Sequence, residues 1–165
     1  AMLETLYSCG LRVSELVGLR FSDLFFEEGF IRVIGKGNKE RLVPVSPQVQ
    51  KEIEIYKQHI RNHLNIQKGS ENIVFLNRRG AQLTRVMVFT IIKNLAESIG
   101  LQKNISPHTF RHSFATHLIE GGANLRAIQE MLGHESITTT EIYTHLDQRF
   151  LRDAILSYHP RNSKA

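Results

Sequence analysis

The stretch SPHTFRHSFATHL, residues 106–118, concentrates groups that could do chemistry on one predicted helix. The candidates are His108, Arg111 and His112. Histidines four residues apart share a helix face, as a metal site requires. An arginine beside a histidine in a first helical turn suits an anion instead. Core packing is the third interpretation, and the rest of the chain has to separate them.

A zinc site is the weakest of these interpretations. The helical zinc motif carries a glutamate directly after its first histidine, and here that position is Thr109. A second pair, His59 and His63, lies on a predicted helix rich in Lys, Arg and Gln, where surface exposure explains it. The single cysteine, Cys9, has no second cysteine with which to form a disulfide or share a metal. We therefore expect no metal ion.

Anion binding fits the stretch better. Ser106 and Pro107 are typical of a helix start, so His108 is expected near free N–H groups that favour negative charge. Arg111 follows three residues later on the same face, and its planar guanidinium matches two phosphate oxygens. A single arginine on a helix is more often a surface ion-pair partner, so this pair alone does not decide the function.

The composition is that of one globular domain with a preference for an anionic partner. The chain has 165 residues, of which 41% are hydrophobic, and its formal net charge is +5. We expect no signal peptide and no membrane span, because no apolar run approaches the roughly 18 residues that a span requires. The sequence contains neither the G-x-S-x-G elbow nor the P-loop pattern, so it gives no support to serine hydrolysis or nucleotide-driven chemistry.

Hydrophobic periodicity predicts a mainly α fold with a small antiparallel β-sheet near the N-terminus, an α+β class. Two strands, FIRVI and RLVPV, flank the Gly-rich turn GKGNKE, and LFFEE is a candidate third strand. Helix start and stop signals lie at Gly10, Ser46-Pro47 (to about Leu64), Thr84, Gly100, Ser106-Pro107, Gly121-Gly122, Asn124, Gly133 and Asp147. We assign residues 1–158 to one domain and residues 159–165 to a flexible tail.

These segments together resemble the catalytic domain of the tyrosine recombinase (phage integrase) family. The resemblance rests on CGLRVSEL, GKGNKER, HTFRH and LGHESITTTEIYTH, which occur in the family's order and spacing from about Leu3 to Tyr158. One such motif is weak, whereas all of them in order are specific. The segments GANLRAIQEMLGH and RLVPVS look most similar to those of the bacterial Xer-type branch, which resolves chromosome dimers. The family's N-terminal, core-binding domain is expected to be absent from this chain.

The resemblance implies an enzyme that cuts and rejoins DNA strands through a 3′-phosphotyrosyl intermediate. Tyr143 is the implied nucleophile. The rest of the implied catalytic set is Arg12, Lys36, His108, Arg111 and His134. The arginines would clamp the non-bridging oxygens of the phosphate, Lys36 would protonate the departing 5′-oxygen, and the histidines would donate hydrogen bonds or move protons.

Four further residues receive supporting roles. Glu15 matches the family's acidic position and is expected to orient Arg12 or His112 through hydrogen bonds. His112 itself is expected to be a structural partner of the site. Lys39 and Arg41 are expected to contact neighbouring phosphates of the DNA backbone.

The resemblance also implies the partners and the setting. We expect binding to double-stranded DNA in a tetramer with the same or another recombinase, with the helix after Asp147 as a contact between protomers. No metal, nucleotide, small-molecule substrate or membrane is expected, and the location is the bacterial cytoplasm at the nucleoid. An integrase of a mobile element with the same chemistry stays open as an alternative. The other alternative is a catalytically silent DNA-binding module. Such a module would be expected to lack some of the catalytic residues, whereas this sequence has a matching residue at every expected catalytic position.

Overall fold

A computed structural model describes residues 1–133 of the chain. Within this range the helices are α1 (Met2–Cys9), α2 (Val13–Val17), α3 (Pro47–His59), α4 (Arg85–Ser98), α5 (Pro107–Glu120) and α6 (Leu125–Leu132). The strands are β1 (Leu24–Phe25), β2 (Phe30–Ile34) and β3 (Glu40–Pro44). They form an antiparallel sheet in the order β1-β2-β3, so the predicted fold class is confirmed. The helix expected after Asp147 and the tail at 159–165 lie outside the described residues.

The capping residues set the helix bounds close to their predicted places. The Ser46 hydroxyl accepts a hydrogen bond of 3.3 Å from the backbone of the first turn of α3, as the Ser-Pro signal predicts. The helix ends at His59 rather than at about Leu64, because the backbone of Ile60 is no longer helical at φ −122°. A short 3₁₀ turn over Arg61–His63 follows it.

The β2–β3 hairpin presents one face to the core and its tip to solvent. The register pairs Ile31 with Val43 and Val33 with Arg41, and these four side chains are buried. The tip is a tight turn over Lys36–Asn38, in which Gly37 adopts φ 73°. This left-handed backbone favours glycine. The predicted hairpin is therefore confirmed, with Lys36 exposed at its end.

Two clusters of buried apolar side chains form the core of the described residues. The larger joins α1, α2, α3 and α4 to the sheet. The smaller lies between α5 and α6 and consists of Phe114, Leu118, Ala127, Ile128, Met131 and Leu132. The clusters meet at Gly10, the left-handed C-cap of α1, where an added Cβ would lie 2.4 Å from the Phe114 ring. Helix α5 thus packs directly onto the end of α1 because position 10 has no side chain.

A buried arginine, Arg61, organises the loop that follows α3. Its guanidinium donates hydrogen bonds to the carbonyl oxygens of Ser70, Glu71 and Ile73 at 3.3, 2.7 and 3.0 Å. It also lies 4.6 Å from the centre of the Phe21 ring, a cation–π distance. Burial lowers the pKa of Arg61, and the neighbouring Tyr56 opposes part of that shift. The contacts of this arginine therefore assign it a structural role in holding the loop after α3.

Gly10→Ala is expected to lower the free energy of unfolding by about 2 kcal/mol or more, because a methyl group there clashes with Phe114 and α1 ends in a left-handed residue. Urea denaturation measures this loss. Gly37→Ala is the matched control, since Gly37 has a similar φ of 73° but nothing within 4 Å of the added Cβ. Gly37→Ala should lower the free energy of unfolding by only about 1 kcal/mol, the cost of a left-handed backbone for a residue with a Cβ. Equal losses in the two variants would contradict the close packing of α5 on α1.

Candidate active site

The candidate site forms where α2, α5, α6 and the β2–β3 hairpin converge. Arg12 precedes α2 and is exposed, while Arg111 lies in α5 with 13% of its side chain exposed. The Arg111 Nη1 atom donates a 2.7 Å hydrogen bond to the Gly10 carbonyl, two residues before Arg12. The positive charge of Arg12 is near enough to contribute to lowering the pKa of Arg111. Two of the predicted phosphate-binding residues therefore lie together.

Glu15 is the centre of this arrangement, and its carboxylate is buried. Its two oxygens accept hydrogen bonds from both terminal nitrogens of Arg41. Oε1 also accepts the backbone N–H of Arg12 at 2.7 Å and lies 3.7 Å from Nη1 of Arg111. Burial alone would favour the protonated acid, but the hydrogen bonds and charge of Arg41, with those of the other two residues, hold the pKa of Glu15 below its ordinary value.

Arg111 is held by carbonyl groups on two sides. In addition to the Gly10 contact, its Nη2 donates a 2.5 Å hydrogen bond to the Leu132 carbonyl at the end of α6. Burial lowers the pKa of Arg111 to about 10; Glu15 opposes this shift, and the charges of Arg12 and Arg41 add to it. The side chain is still protonated at neutral pH. Two hydrogen bonds occupy two of its five donors, so among residues 1–133 three donors have no partner within hydrogen-bond distance.

The prediction that Arg41 contacts the DNA backbone is wrong. Arg41 is only 5% exposed, its terminal nitrogens bind Glu15, and its Nε donates a 2.7 Å hydrogen bond to the Met131 carbonyl. The sequence did contain a signal that Arg41 is buried. Arg41 is two residues from Val43 and four from Val45, and side chains at this spacing lie on the same face of a strand. Its neighbour Lys39 is exposed beside the hairpin tip, and its contact with DNA stays a prediction.

The expected role of Glu15 is corrected in one respect. It does bind Arg12, but through the backbone N–H, and its side-chain partners are Arg41 and Arg111. His112 is exposed, and its Nε2 lies 3.5 Å from the Thr116 hydroxyl. The expected contact between Glu15 and His112 is therefore not formed within residues 1–133.

His108 and Lys36 are exposed, and within residues 1–133 neither side chain makes a hydrogen bond or ion pair with Arg12, Arg111 or Glu15. His108 is exposed in the first turn of α5, and its ring centre lies 6.3 Å from that of Phe89 in α4. Lys36 follows Gly35, where an added Cβ would lie 3.2 Å from Oε2 of Glu15. The neck of the hairpin thus packs against the central carboxylate, which brings Lys36 to the same side of the domain as the arginines.

The end of α6 completes the described part of the site. The carbonyls of Met131 and Leu132 accept hydrogen bonds from Arg41 and Arg111, and positive charge at a helix C-terminus is favourable. Gly133 caps the helix at φ 72°, and a Cβ there would lie 3.2 Å from the Arg41 side chain. His134 is the next residue in the sequence; it and Tyr143 lie outside the described residues.

Within residues 1–133, no group of three or more His, Cys, Asp or Glu side chains is placed to hold a metal ion. In the same range, no helix combines the length and apolar character needed to cross a membrane. The buried thiol of Cys9 has a pKa raised to about 12, mainly by desolvation, which leaves it protonated and inert. Among residues 1–133, the charged side chains that contact one another at the site are those of Arg41, Arg111 and Glu15.

Comparison with known proteins places this arrangement in a family. The model of the phage integrase family matches residues 1–149. The chain belongs to the phage integrase family. It is 50% identical over 161 residues to the tyrosine recombinase XerD of Chlorobaculum tepidum, a match that covers 98% of this chain and 53% of that protein. The chain thus spans about half the length of the curated relatives it matches.

Solved structures of other recombinases share the fold of this phage integrase family member. The crystal structure of XerA recombinase is 31% identical, with a TM-score of 0.72, over 96% of this chain and 57% of that one. A XerH site-specific recombinase, in a post-cleavage complex with palindromic difH substrate, is 30% identical with a TM-score of 0.69 over 93% and 43%. The predicted recombinase-like fold is confirmed.

Glu15→Gln is expected to lower the free energy of unfolding by about 3–5 kcal/mol, because it leaves the buried Arg41 without its counter-charge. The pH dependence has a defined sign. Because the folded-state pKa of Glu15 is depressed, its ionisation stabilises the fold above the unfolded pKa of about 4.3, and this stabilisation is lost as the pH falls below that value. Denaturation between about pH 6 and pH 3 should show a component that Glu15→Gln lacks.

Asp23→Asn is the matched control for that measurement. Asp23 is also buried and binds Arg32 at 2.9 Å, but 35% of the Arg32 side chain is exposed. Solvent can therefore compensate Arg32 when its partner is neutralised, and we expect a smaller loss than for Glu15→Gln. A loss in Glu15→Gln no greater than that in Asp23→Asn would contradict the central role of the Glu15 carboxylate.

Proposed function

We propose that this chain is the catalytic part of a site-specific DNA recombinase that cuts and rejoins strands through a 3′-phosphotyrosyl intermediate. The observation that carries the proposal is the convergence of Arg12 and Arg111, with Lys36 on the same side, in a member of the phage integrase family. A net charge of +5 suits a polyanionic substrate. The XerH neighbour bound to its DNA substrate supports the same activity here.

In this proposal the arginines bind the phosphate that is cut. Arg12 is exposed, and Arg111 has donors that the carbonyls of Gly10 and Leu132 do not occupy. As Tyr143 attacks the phosphorus, negative charge grows on the non-bridging oxygens, and guanidinium groups held in place stabilise that charge. His108 and His134 add hydrogen bonds to the same phosphate. The loss of one such donor typically costs about 10²–10³ in rate.

Lys36 acts as the general acid in this scheme. A histidine of the set, His108 or His134, takes the phenolic proton of Tyr143 as the phenolic oxygen forms a bond to phosphorus. The bond to the 5′-oxygen breaks, and Lys36 gives that oxygen its proton. The position of Lys36 suits this role, because the side chain is exposed at the tip of the hairpin and can reach a bound substrate. The turn at this tip contains Gly37 in a left-handed conformation. The phosphotyrosyl ester retains the energy of the broken ester, so a 5′-hydroxyl can reverse the reaction without a nucleotide. Neither a metal nor another cofactor enters the scheme.

The 50% identity to XerD favours the Xer branch, and with it chromosome dimer resolution in the bacterial cytoplasm at the nucleoid, over a mobile-element integrase. Lys39, exposed beside the hairpin tip, contacts a neighbouring DNA phosphate. The protein works as a tetramer with itself or a second recombinase on double-stranded DNA, and the predicted helix after Asp147 contacts a neighbouring protomer.

The nucleophile is tested with nicked suicide duplexes, which trap the phosphotyrosyl adduct because the short cleaved fragment diffuses away. We expect the wild-type chain to form an adduct on duplexes drawn from a pool of randomised sites, with EDTA present and without nucleotide. Tyr143→Phe should form none, because it lacks the attacking oxygen. Denaturing gels measure the adduct. Tyr56→Phe is the control, since Tyr56 accepts a hydrogen bond from the Leu76 backbone and is expected to keep full adduct formation. An adduct in Tyr143→Phe would overturn the assignment.

The role of Lys36 is tested with a leaving group that requires no proton. Lys36→Ala should slow single-turnover cleavage by about 100-fold or more on ordinary DNA. A substrate with sulfur in place of the 5′-bridging oxygen should restore most of the rate, because a thiolate leaves far more readily than an alkoxide. Lys39→Ala, the matched control from the same hairpin, should weaken binding and show the same defect on both substrates. The absence of selective rescue for Lys36→Ala would contradict the general-acid role.

A further inference from the structure

Arg41 is a buried cation of the hairpin that contacts α2 and α6 directly and is linked to α5 through Glu15. It lies on the inner face of β3, and its three guanidinium nitrogens are directed to Glu15 and to the Met131 carbonyl. We propose that Arg41 is a positioning residue for strand cleavage, which touches no DNA and holds Arg111, Lys36 and the chain before His134 in their working places. This inference rests on the proposed function and adds to it a residue that acts only through others.

The first link runs through Glu15 to Arg111. Arg41 occupies both carboxylate oxygens of Glu15, so Arg111 lies 3.7 Å from Oε1, beyond hydrogen-bond distance. If Arg41 were absent, the buried carboxylate would require another cation, and Arg111 is the nearest one described. The N–H groups of Arg111 would then donate hydrogen bonds to Glu15 instead of to a phosphate. Arg41 therefore keeps those donors available for a phosphate.

The second link runs to the end of α6. The Nε atom of Arg41 donates a 2.7 Å hydrogen bond to Met131, and a Cβ at Gly133 would lie 3.2 Å from the Arg41 side chain. The adjacent carbonyl, that of Leu132, accepts from Arg111. Two arginines from different elements thus fix the last turn of α6. His134 follows Gly133 in the sequence, so the contacts of Arg41 fix the residues that immediately precede it.

The third link runs to the hairpin neck. A Cβ at Gly35 would lie 3.2 Å from Oε2 of Glu15 and 3.5 Å from Nη1 of Arg41, so the neck rests on the ion pair itself. The Gly35 N–H donates a 2.8 Å hydrogen bond to the Lys39 carbonyl, which closes the neck across the two strands. Lys36 is the next residue. A shift of the ion pair is therefore transmitted to the proposed general acid by direct contact.

The test compares Arg41→Gln with the wild type in single-turnover cleavage of the nicked suicide duplex at saturating DNA, with the rate constant referred to the folded fraction. We expect a loss of about 10- to 100-fold, as for small misplacements of catalytic groups, and an unchanged dissociation constant for DNA. Combined with Glu15→Gln, which should also slow cleavage, Arg41→Gln should cause a much smaller loss than it does alone, because either change removes the Arg41–Glu15 contact and only the hydrogen bond to Met131 is lost in addition. Losses that multiply would overturn the proposed link through Glu15.

Arg61→Gln is the matched control, because Arg61 is a second buried arginine whose hydrogen-bond partners are carbonyl groups of the loop after α3 and not residues of the site. It should lose stability but keep the wild-type rate constant per folded molecule. A purely structural role for Arg41 predicts the same behaviour, so an unchanged rate constant in Arg41→Gln would overturn the inference while the proposed function stands.

Hydrogen exchange supplies a readout that does not depend on activity. Arg41→Gln should speed amide exchange in the peptide that covers residues 125–133 more than Arg61→Gln does at equal global stability. If the wild type formed no adduct, the proposed function would fail by itself, and this measurement would still decide whether Arg41 holds α6. Equal exchange in the two variants would overturn the inference.

Discussion

The described structure depends on one buried negative charge. The Glu15 carboxylate is removed from solvent, and a charge in that position is tolerated only when cations and hydrogen-bond donors surround it. Its partners come from the turn before α2, from β3 and from α5, so none of these elements can move independently. Buried ion pairs often stabilise a fold no better than apolar residues would. The value of this one lies in the fixed geometry that it gives to Arg111.

The ion cluster is compact because glycines line it. Gly10, Gly35 and Gly133 each stand where a methyl group would lie within 3.2 Å of a neighbouring side chain, and the neighbours are Phe114 or the Arg41–Glu15 pair. A side chain at any of these positions would separate two elements that the cluster joins. Two of the glycines also end helices in a left-handed conformation. At Gly10 and Gly133, the left-handed backbone and the close approach of a neighbour both favour glycine, whereas at Gly35 only the close approach does.

Local signals in the sequence were sufficient for most of the fold, because capping residues, glycine stops and the alternation in the hairpin act over a few residues. The error at Arg41 has a different origin. The basic run around it favoured a surface role, whereas its partners Glu15 and Met131 are 26 and 90 residues away along the chain. Local residue spacing does not indicate contacts between residues so far apart in the sequence. The one local signal for burial was the two-residue spacing from Val43, which places Arg41 on the apolar face of the strand.

Three arginines of the site show how burial separates roles that residue type cannot. Arg12 is exposed, Arg111 is 13% exposed and held by two carbonyls, and Arg41 is 5% exposed with its nitrogens committed to internal partners. Because Arg41 balances the charge of Glu15, the positive charge of Arg111 is not cancelled by that carboxylate and acts outward. The most buried arginine, Arg41, therefore balances the charge of Glu15, Arg111 is aligned by two carbonyl groups, and Arg12 faces solvent. A cluster with two carboxylates, or with no buried arginine, would not present a net positive charge at the same point.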